Sequence, residues 1–145
     1  MAGPEPPETI LHASCVAFEG KGALILGPSG AGKSALALEL MARGASLVAD
    51  DRVVLQCGDD GEVMASAPAA IAGRIEARCV GILNAVPAGP VRLVLVVDLG
   101  QREAARLPPK RTKNLLGQTF PLLHNVASDH FAAAILQYLR AGRNA

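Results

Sequence analysis

Residues Gly27, Pro28, Ser29, Gly30, Ala31, Gly32, Lys33 and Ser34 fit the pattern G-x-x-x-x-G-K-[ST]. Glycines at this spacing let the backbone turn its N–H groups inward around an anion, and the lysine reaches terminal phosphates. The Ser34 hydroxyl is placed for Mg²⁺ by the loop itself. Phosphoryl chemistry also needs a group that handles the nucleophile's proton, and further metal ligands. Asp50 and Asp51 follow the apolar run Leu47-Val48-Ala49 and precede Val53-Val54-Leu55. An Asp-Asp pair is ordinarily a solvated turn. The apolar runs on both sides predict a continuing strand instead, without a turn. Adjacent carboxylates on a strand point to opposite faces, so one can face the phosphates while the other takes a structural bond. Glu76 and Arg78 alternate with Ile75 and Ala77, which puts both on one side of an extended backbone. Their plain reading is an exposed ion pair worth under about 1 kcal/mol. His12 is either a hydrogen-bonded structural residue or a ligand or catalytic group. Lys110, Arg111 and Lys113 are either a solvated loop or a patch for a phosphate or an acidic partner.

These residues need elements to hold them. Ala23 to Leu26 reads as a buried strand entering the loop, and Ser34 to Arg43 as a helix leaving it, with Gly44 as its C-cap. The helix N-terminus then points at the anion. Leu11 to Phe18 alternates, and Glu19-Gly20-Lys21-Gly22 turns it back into the loop strand as a hairpin. Ser46 to Gln56 reads as a strand interrupted by Asp50-Asp51-Arg52. The turn at Gly58-Asp59-Asp60-Gly61 leads to Glu62 to Ala65, a second hairpin. Antiparallel pairs beside a phosphate loop predict an α/β fold with a mixed sheet. Pro68 to Cys79 is short and helical or irregular. Pro87 and Pro90 close a loop before a central strand, Val91 to Leu99. Gln101 to Lys113 is polar, and Leu115 to Leu123 reads as a last strand. Ser128-Asp129 opens a final helix through Arg140, with Phe131, Ile135 and Leu139 on one stripe.

At 145 residues the chain is long enough for one domain. It is 50% hydrophobic and 3% aromatic, so the core must be aliphatic. A formal net charge of +1 gives no global reason to expect nucleic acid or a membrane surface. No apolar run approaches the ~20 residues of a membrane-spanning helix. Residues 1–8 hold three prolines and two glutamates, which reads as a flexible lead-in rather than a signal peptide; residues 9–143 form the domain. Cys15, Cys57 and Cys79 suggest neither disulfides nor a metal site. They read as small buried hydrophobes in a reducing cytoplasm.

Taken together, four stretches resemble the catalytic domain of the HPr kinase/phosphorylase family: His12, the loop Gly27 to Ser34 beginning fifteen residues later, Ala49-Asp50-Asp51-Arg52, and Glu76-Ala77-Arg78-Cys79-Val80-Gly81. The likeness covers about residues 9 to 99, as in a short form carrying only the catalytic domain. It implies use of ATP to phosphorylate a serine of the phosphocarrier protein HPr, with removal of that phosphate by phosphorolysis or hydrolysis, in regulation of carbon metabolism. By the same resemblance Asp51 is the general base forward and the acid in reverse. His12 and Lys33 join it in the active site, and Ser34 and Glu76 bind Mg²⁺. The implied fold is similar to the nucleotide domain of phosphoenolpyruvate carboxykinase, and the implied assembly is a homo-oligomer, a hexamer by resemblance. Cys79 stands where the family pattern has glycine. Thr119 to Asp129 has no arginine where the family has a Gly-Arg-Asn-like stretch, with Arg111 the candidate substitute. Two other readings stand beside this one: a small-molecule phosphotransferase, and a non-catalytic ATP-sensing module. Intact Lys33, Ser34 and Asp51 argue against the latter.

Overall fold

The computed structural model describes residues 8–145. Most of the expected lead-in, residues 1–7, lies outside the described residues. Glu8 begins the first strand. In chain order the elements are β1 (Glu8–His12), β2 (Ser14–Phe18), β3 (Lys21–Leu26), α1 (Lys33–Ala42), β4 (Ser46–Ala49), β5 (Arg52–Cys57) and β6 (Val63–Ser66). A 3₁₀ turn at Ala69–Ile71 leads to β7 (Arg74–Ala77), β8 (Gly81–Asn84), β9 (Val91–Arg102), β10 (Arg111–Leu115), β11 (Gln118–Asn125) and α2 (Phe131–Ala141).

Nine strands form one mixed sheet in the order β1-β5-β6-β9-β3-β2-β4, with β11 parallel to β9 and β10 antiparallel to β11. The α/β class and the mixed sheet agree with the sequence reading. β9 is central: β3 runs parallel along one edge, and β6 and then β11 along the other. Alternation along β3 separates the two faces. Ala23 and Ile25 join Leu36, Leu40, Ile135 and Leu139 under the two helices, while Leu24 packs with Val53, Leu55 and Val96 on the opposite face. Phe120 and Phe131 are the aromatic members of this aliphatic core among the described residues. The stripe of α2 is buried as its spacing requires, with Phe131, Ile135 and Leu139 at most 7% exposed.

Both hairpins form, the first with a tighter turn. Glu19 and Gly20 have φ of 52° and 76°, a two-residue turn with positive φ at both positions, and Lys21 is already paired with Phe18. At α1, Gly44 (φ 112°) lets the chain reverse, so the Ala45 N–H reaches the Leu40 carbonyl.

Four expectations are corrected. Leu11 to Phe18 is two strands, broken at Ala13, because β1 pairs with β5 whereas β2 pairs with β3 and β4. The run around Asp50-Asp51 is likewise two strands. The chain turns there after all, with Asp51 at φ 71°. The two breaks face each other, the Ala13 N–H donating to the Asp51 carbonyl at 3.2 Å. Leu115 to Leu123 is a hairpin, not one strand, turning at Leu116-Gly117 with positive φ at both. Arg111 and Lys113 therefore lie on the edge strand β10 rather than in a loop. Finally, Cys15 is buried, Cys57 is half-buried and Cys79 is exposed. Burial pushes the Cys15 thiol up to about 12. It is a protonated core residue.

Candidate active site

The strand β3 delivers the chain to Gly27, where φ is 153° and a Cβ would meet Ala31 Cβ at 3.1 Å and Leu99 Cβ at 3.3 Å. Only glycine fits. Gly32 (φ 99°) caps α1 in the left-handed region, so the loop curls before the helix starts at Lys33. Lys33 is 8% exposed, and its Nζ donates to the carbonyls of Gly27 (2.7 Å) and Pro28 (3.1 Å). The lysine thus folds back onto the carbonyls of its own loop.

The two aspartates part company at the turn. Asp50 is 6% exposed. Its Oδ1 accepts from the hydroxyls of Ser14 and Ser34, both at 2.7 Å, and its Oδ2 accepts from the Glu76 N–H at 3.1 Å. One buried carboxylate therefore joins β2, the first turn of α1 and β7. Three donors compensate its desolvation. Asp51 instead swings outward. Its Oδ1 lies 2.9 Å from Nε2 of His12, with the two side chains 63% and 54% exposed. One carboxylate is thus buried among donors and the other exposed beside His12, and the left-handed residue Asp51, not the alternation of a continuing strand, separates them.

These groups converge on a cleft of about 550 Å³. Lys33 and Ser34 line it from the loop and α1, His12 and Asp51 from the paired breaks, and Glu76 and Arg78 from β7 and its turn. His12, Ser29, Gly30, Gly32, Lys33, Ser34, Asp51, Glu76 and Arg78 are brought together here, whereas Gly27, Pro28, Ala31, Asp50, Lys110, Arg111 and Lys113 do not line it. Arg78 is the one arginine among the residues lining the cleft, and among the described residues no ion pair joins it to Glu76. Arg111 is engaged elsewhere, its Nε and Nη2 donating to Glu103 at 3.0 and 3.1 Å. That fork, together with the N–H groups of Ala105 and Ala104, holds the Glu103 carboxyl down at about 2. Arg111 is thus no substitute for a cleft arginine.

The donor set suits a hard cation. The Ser34 hydroxyl spends its hydrogen on Asp50, which leaves its lone pairs available, and Glu76 contributes a carboxylate to the same cleft. Among the described residues no three His, Cys, Asp or Glu side chains gather as a full metal cage. Two protein oxygens and no cage fit Mg²⁺, which keeps several waters and takes phosphate oxygens.

Sequence reasoning missed Ser14 as a member of this site. Its signal was a serine opening the apolar run Cys15-Val16-Ala17: at 1% exposure a hydroxyl must find a partner. Cys79 follows Arg78 at φ 66°, in the left-handed conformation that glycine adopts freely, and the Val80 N–H closes the turn on Ala77.

A family model described as the HPr Serine kinase C-terminal domain matches residues 6–89. The chain is 45% identical over 100 residues to the HPr kinase/phosphorylase of Geobacillus sp. (strain WCH70), covering 64% of this chain and 32% of that protein. It is 41% identical over 106 residues to the HPr kinase/phosphorylase of Bacillus cytotoxicus, covering 68% and 34%. It therefore spans about a third of the length of these curated relatives. Among solved structures, that of the Hpr(Ser) kinase/phosphatase from Coxiella burnetii superposes with a TM-score of 0.75 at 24% identity, over 91% of this chain and 88% of that one. This last likeness is one of fold.

Proposed function

The chain belongs to the HPr serine kinase C-terminal domain family, and from that premise we propose that it transfers the γ-phosphoryl group of ATP to a serine of the phosphocarrier protein HPr, and runs the reverse removal of that phosphate. The observation that carries this reading is the His12–Asp51 pair, 2.9 Å apart and open to the same cleft as Lys33 and Ser34. A serine hydroxyl is a poor nucleophile. Asp51 accepts its proton as the oxygen–phosphorus bond forms, and His12 orients the carboxylate. In reverse, protonated Asp51 returns the proton to the serine oxygen as phosphate or water takes the phosphoryl group. The loop Gly27 to Ser34 holds the polyphosphate through its unspent backbone N–H groups, Pro28 having none and that of Ala31 donating to the Pro28 carbonyl. Lys33 and Arg78 face the charge that develops on the transferring group. Ser34 and Glu76 would hold Mg²⁺, which would neutralise charge on the phosphates.

The same proposal includes a nucleotide-domain fold like that of phosphoenolpyruvate carboxykinase, a domain spanning residues 9–143, a cytoplasmic setting and a homo-oligomer, a hexamer by resemblance. Light scattering of the active protein tests the last of these, and an active monomer contradicts it. Among the described residues no helix is long and apolar enough to cross a membrane.

Asp51→Asn tests the proton-transfer role. Asparagine keeps the size and a hydrogen bond to His12 but takes no proton. The variant is expected to bind ATP normally and to lose both phosphorylation and dephosphorylation, by about 10²-fold or more. Loss of ATP binding instead makes Asp51 structural, and full activity moves the role to another group.

A further inference from the structure

Lys110 and Arg111 take no part in the phosphate cleft, yet they border a cavity of their own. It measures about 300 Å³ and opens between the β10–β11 hairpin and the C-terminal half of α2. It shares no lining residue with the phosphate cleft. Its apolar surface comes from Phe120, Leu122 and Leu123 on β11 and from the Tyr138 ring on α2. Every charged residue lining it is a cation: Lys110, Arg111 and Arg143.

The three cations are not equally available. Arg111 gives Nε and Nη2 to Glu103, which balances its charge. Arg143 directs Nε to the main-chain oxygen of Ala145 at 2.9 Å and Nη2 to that of Pro108. It is thereby held between the residues that follow α2 and those that precede β10. Lys110 has no ion pair among the described residues, so its charge is uncompensated.

We propose that this cavity binds a small organic carboxylate, one negative charge carried on an apolar body. The charge meets Lys110, and the body displaces water from Phe120, Leu122, Leu123 and the Tyr138 ring. One uncompensated cation suits one negative charge. A phosphate group would bring up to about two charges and three oxygens that need donors, which apolar walls do not supply. Pockets for drug-sized ligands begin near about 300 Å³, so the body is one ring with a short chain. Nothing in this binding depends on phosphoryl transfer.

The chain has one tyrosine and no tryptophan, so its tyrosine emission reads the cavity wall at Tyr138. Titration of the full chain with cyclohexylacetate, which is transparent where tyrosine absorbs, is expected to change that emission saturably. Cyclohexylacetamide, the uncharged counterpart, is expected to bind about tenfold more weakly, because it lacks the carboxylate that pairs with an ammonium. Lys110→Met keeps an apolar stem and removes the charge. The variant is expected to lose about tenfold for the carboxylate and to keep amide binding within about twofold. No saturable change, equal affinity for acid and amide, or a variant that binds the acid like the wild type overturns the site. Inorganic phosphate that displaces the probe at equal concentration overturns the choice of a carboxylate. Displacement by Mg-ATP puts the probe in the phosphate cleft and overturns the cavity as its site.

Discussion

At Asp50 a single buried carboxylate takes hydrogen bonds from Ser14, Ser34 and the backbone of Glu76. It thereby fixes the spacing between the two residues proposed to hold Mg²⁺. Asp51, one residue on, is free to face an incoming hydroxyl. If Glu76 is a ligand, Glu76→Gln weakens one oxygen contact to the cation and leaves the loop that holds ATP intact. Its activity is expected to require several-fold more Mg²⁺, about three- to tenfold, with little change in the ATP requirement. Titration of each at saturating levels of the other checks this, and an unmoved Mg²⁺ curve removes Glu76 from the metal. The loop was legible because phosphate chemistry constrains residue type and spacing, whereas the roles of Asp51, His12 and Glu76 rest on the family resemblance, since the residues alone leave a structural histidine and an exposed ion pair open. Ser14 was not legible, because one hydroxyl among apolar neighbours carries no spacing signal. Its partner sits 36 positions away.

At the scale of elements, local patterns located β3, α1, both early hairpins and α2, each within one to three residues. What they missed depends on distant partners. Nothing local says that β1 crosses to β5 while β2 stays with β3, or that the chain turns at Asp50-Asp51 to serve both ladders. Pro68 to Cys79 reads as helical or irregular, whereas its second half forms β7 and the turn into β8, with Cys79 at φ 66° where the family pattern has glycine. That conformation costs a side-chain-bearing residue roughly 1–2 kcal/mol, partly offset by the extra unfolded-state entropy of glycine. Cys79→Gly is therefore expected to stabilise the fold by about 0.5–1 kcal/mol, read as a rise in the denaturation midpoint at unchanged slope. A fall in the midpoint means that the cysteine side chain makes a compensating contact. Arg78, one residue before, should keep its place in the cleft.

Over the whole molecule, β10 and β11 extend the sheet beyond the central strand, and the Arg111–Glu103 fork ties β10 to the segment that follows β9. The Glu103 carboxyl is held at about 2, against an ordinary value of 4.5. Its folded-state pKa is lowered, so the unfolded chain binds the proton more readily. The fork's contribution is then fully present above about pH 4.5 and is lost as the pH falls towards 2. Arg111→Met should weaken the fold at neutral pH and flatten the part of the acid-unfolding curve that lies in that window. An unchanged curve means the fork contributes nothing to stability. The cleft lies between the nine-stranded sheet with its helix α1 and the separate β7–β8 hairpin, with the exposed Asp51 at a chain reversal on its border. The central claim is that this cleft passes phosphate to a protein serine. Its most direct test is incubation of the full chain with γ-labelled ATP, Mg²⁺ and purified HPr, followed by location of the label. Label is expected on one serine of HPr, dependent on Mg²⁺. Phosphoryl transfer that needs no protein acceptor, or bound ATP with no transfer to HPr at all, would contradict it.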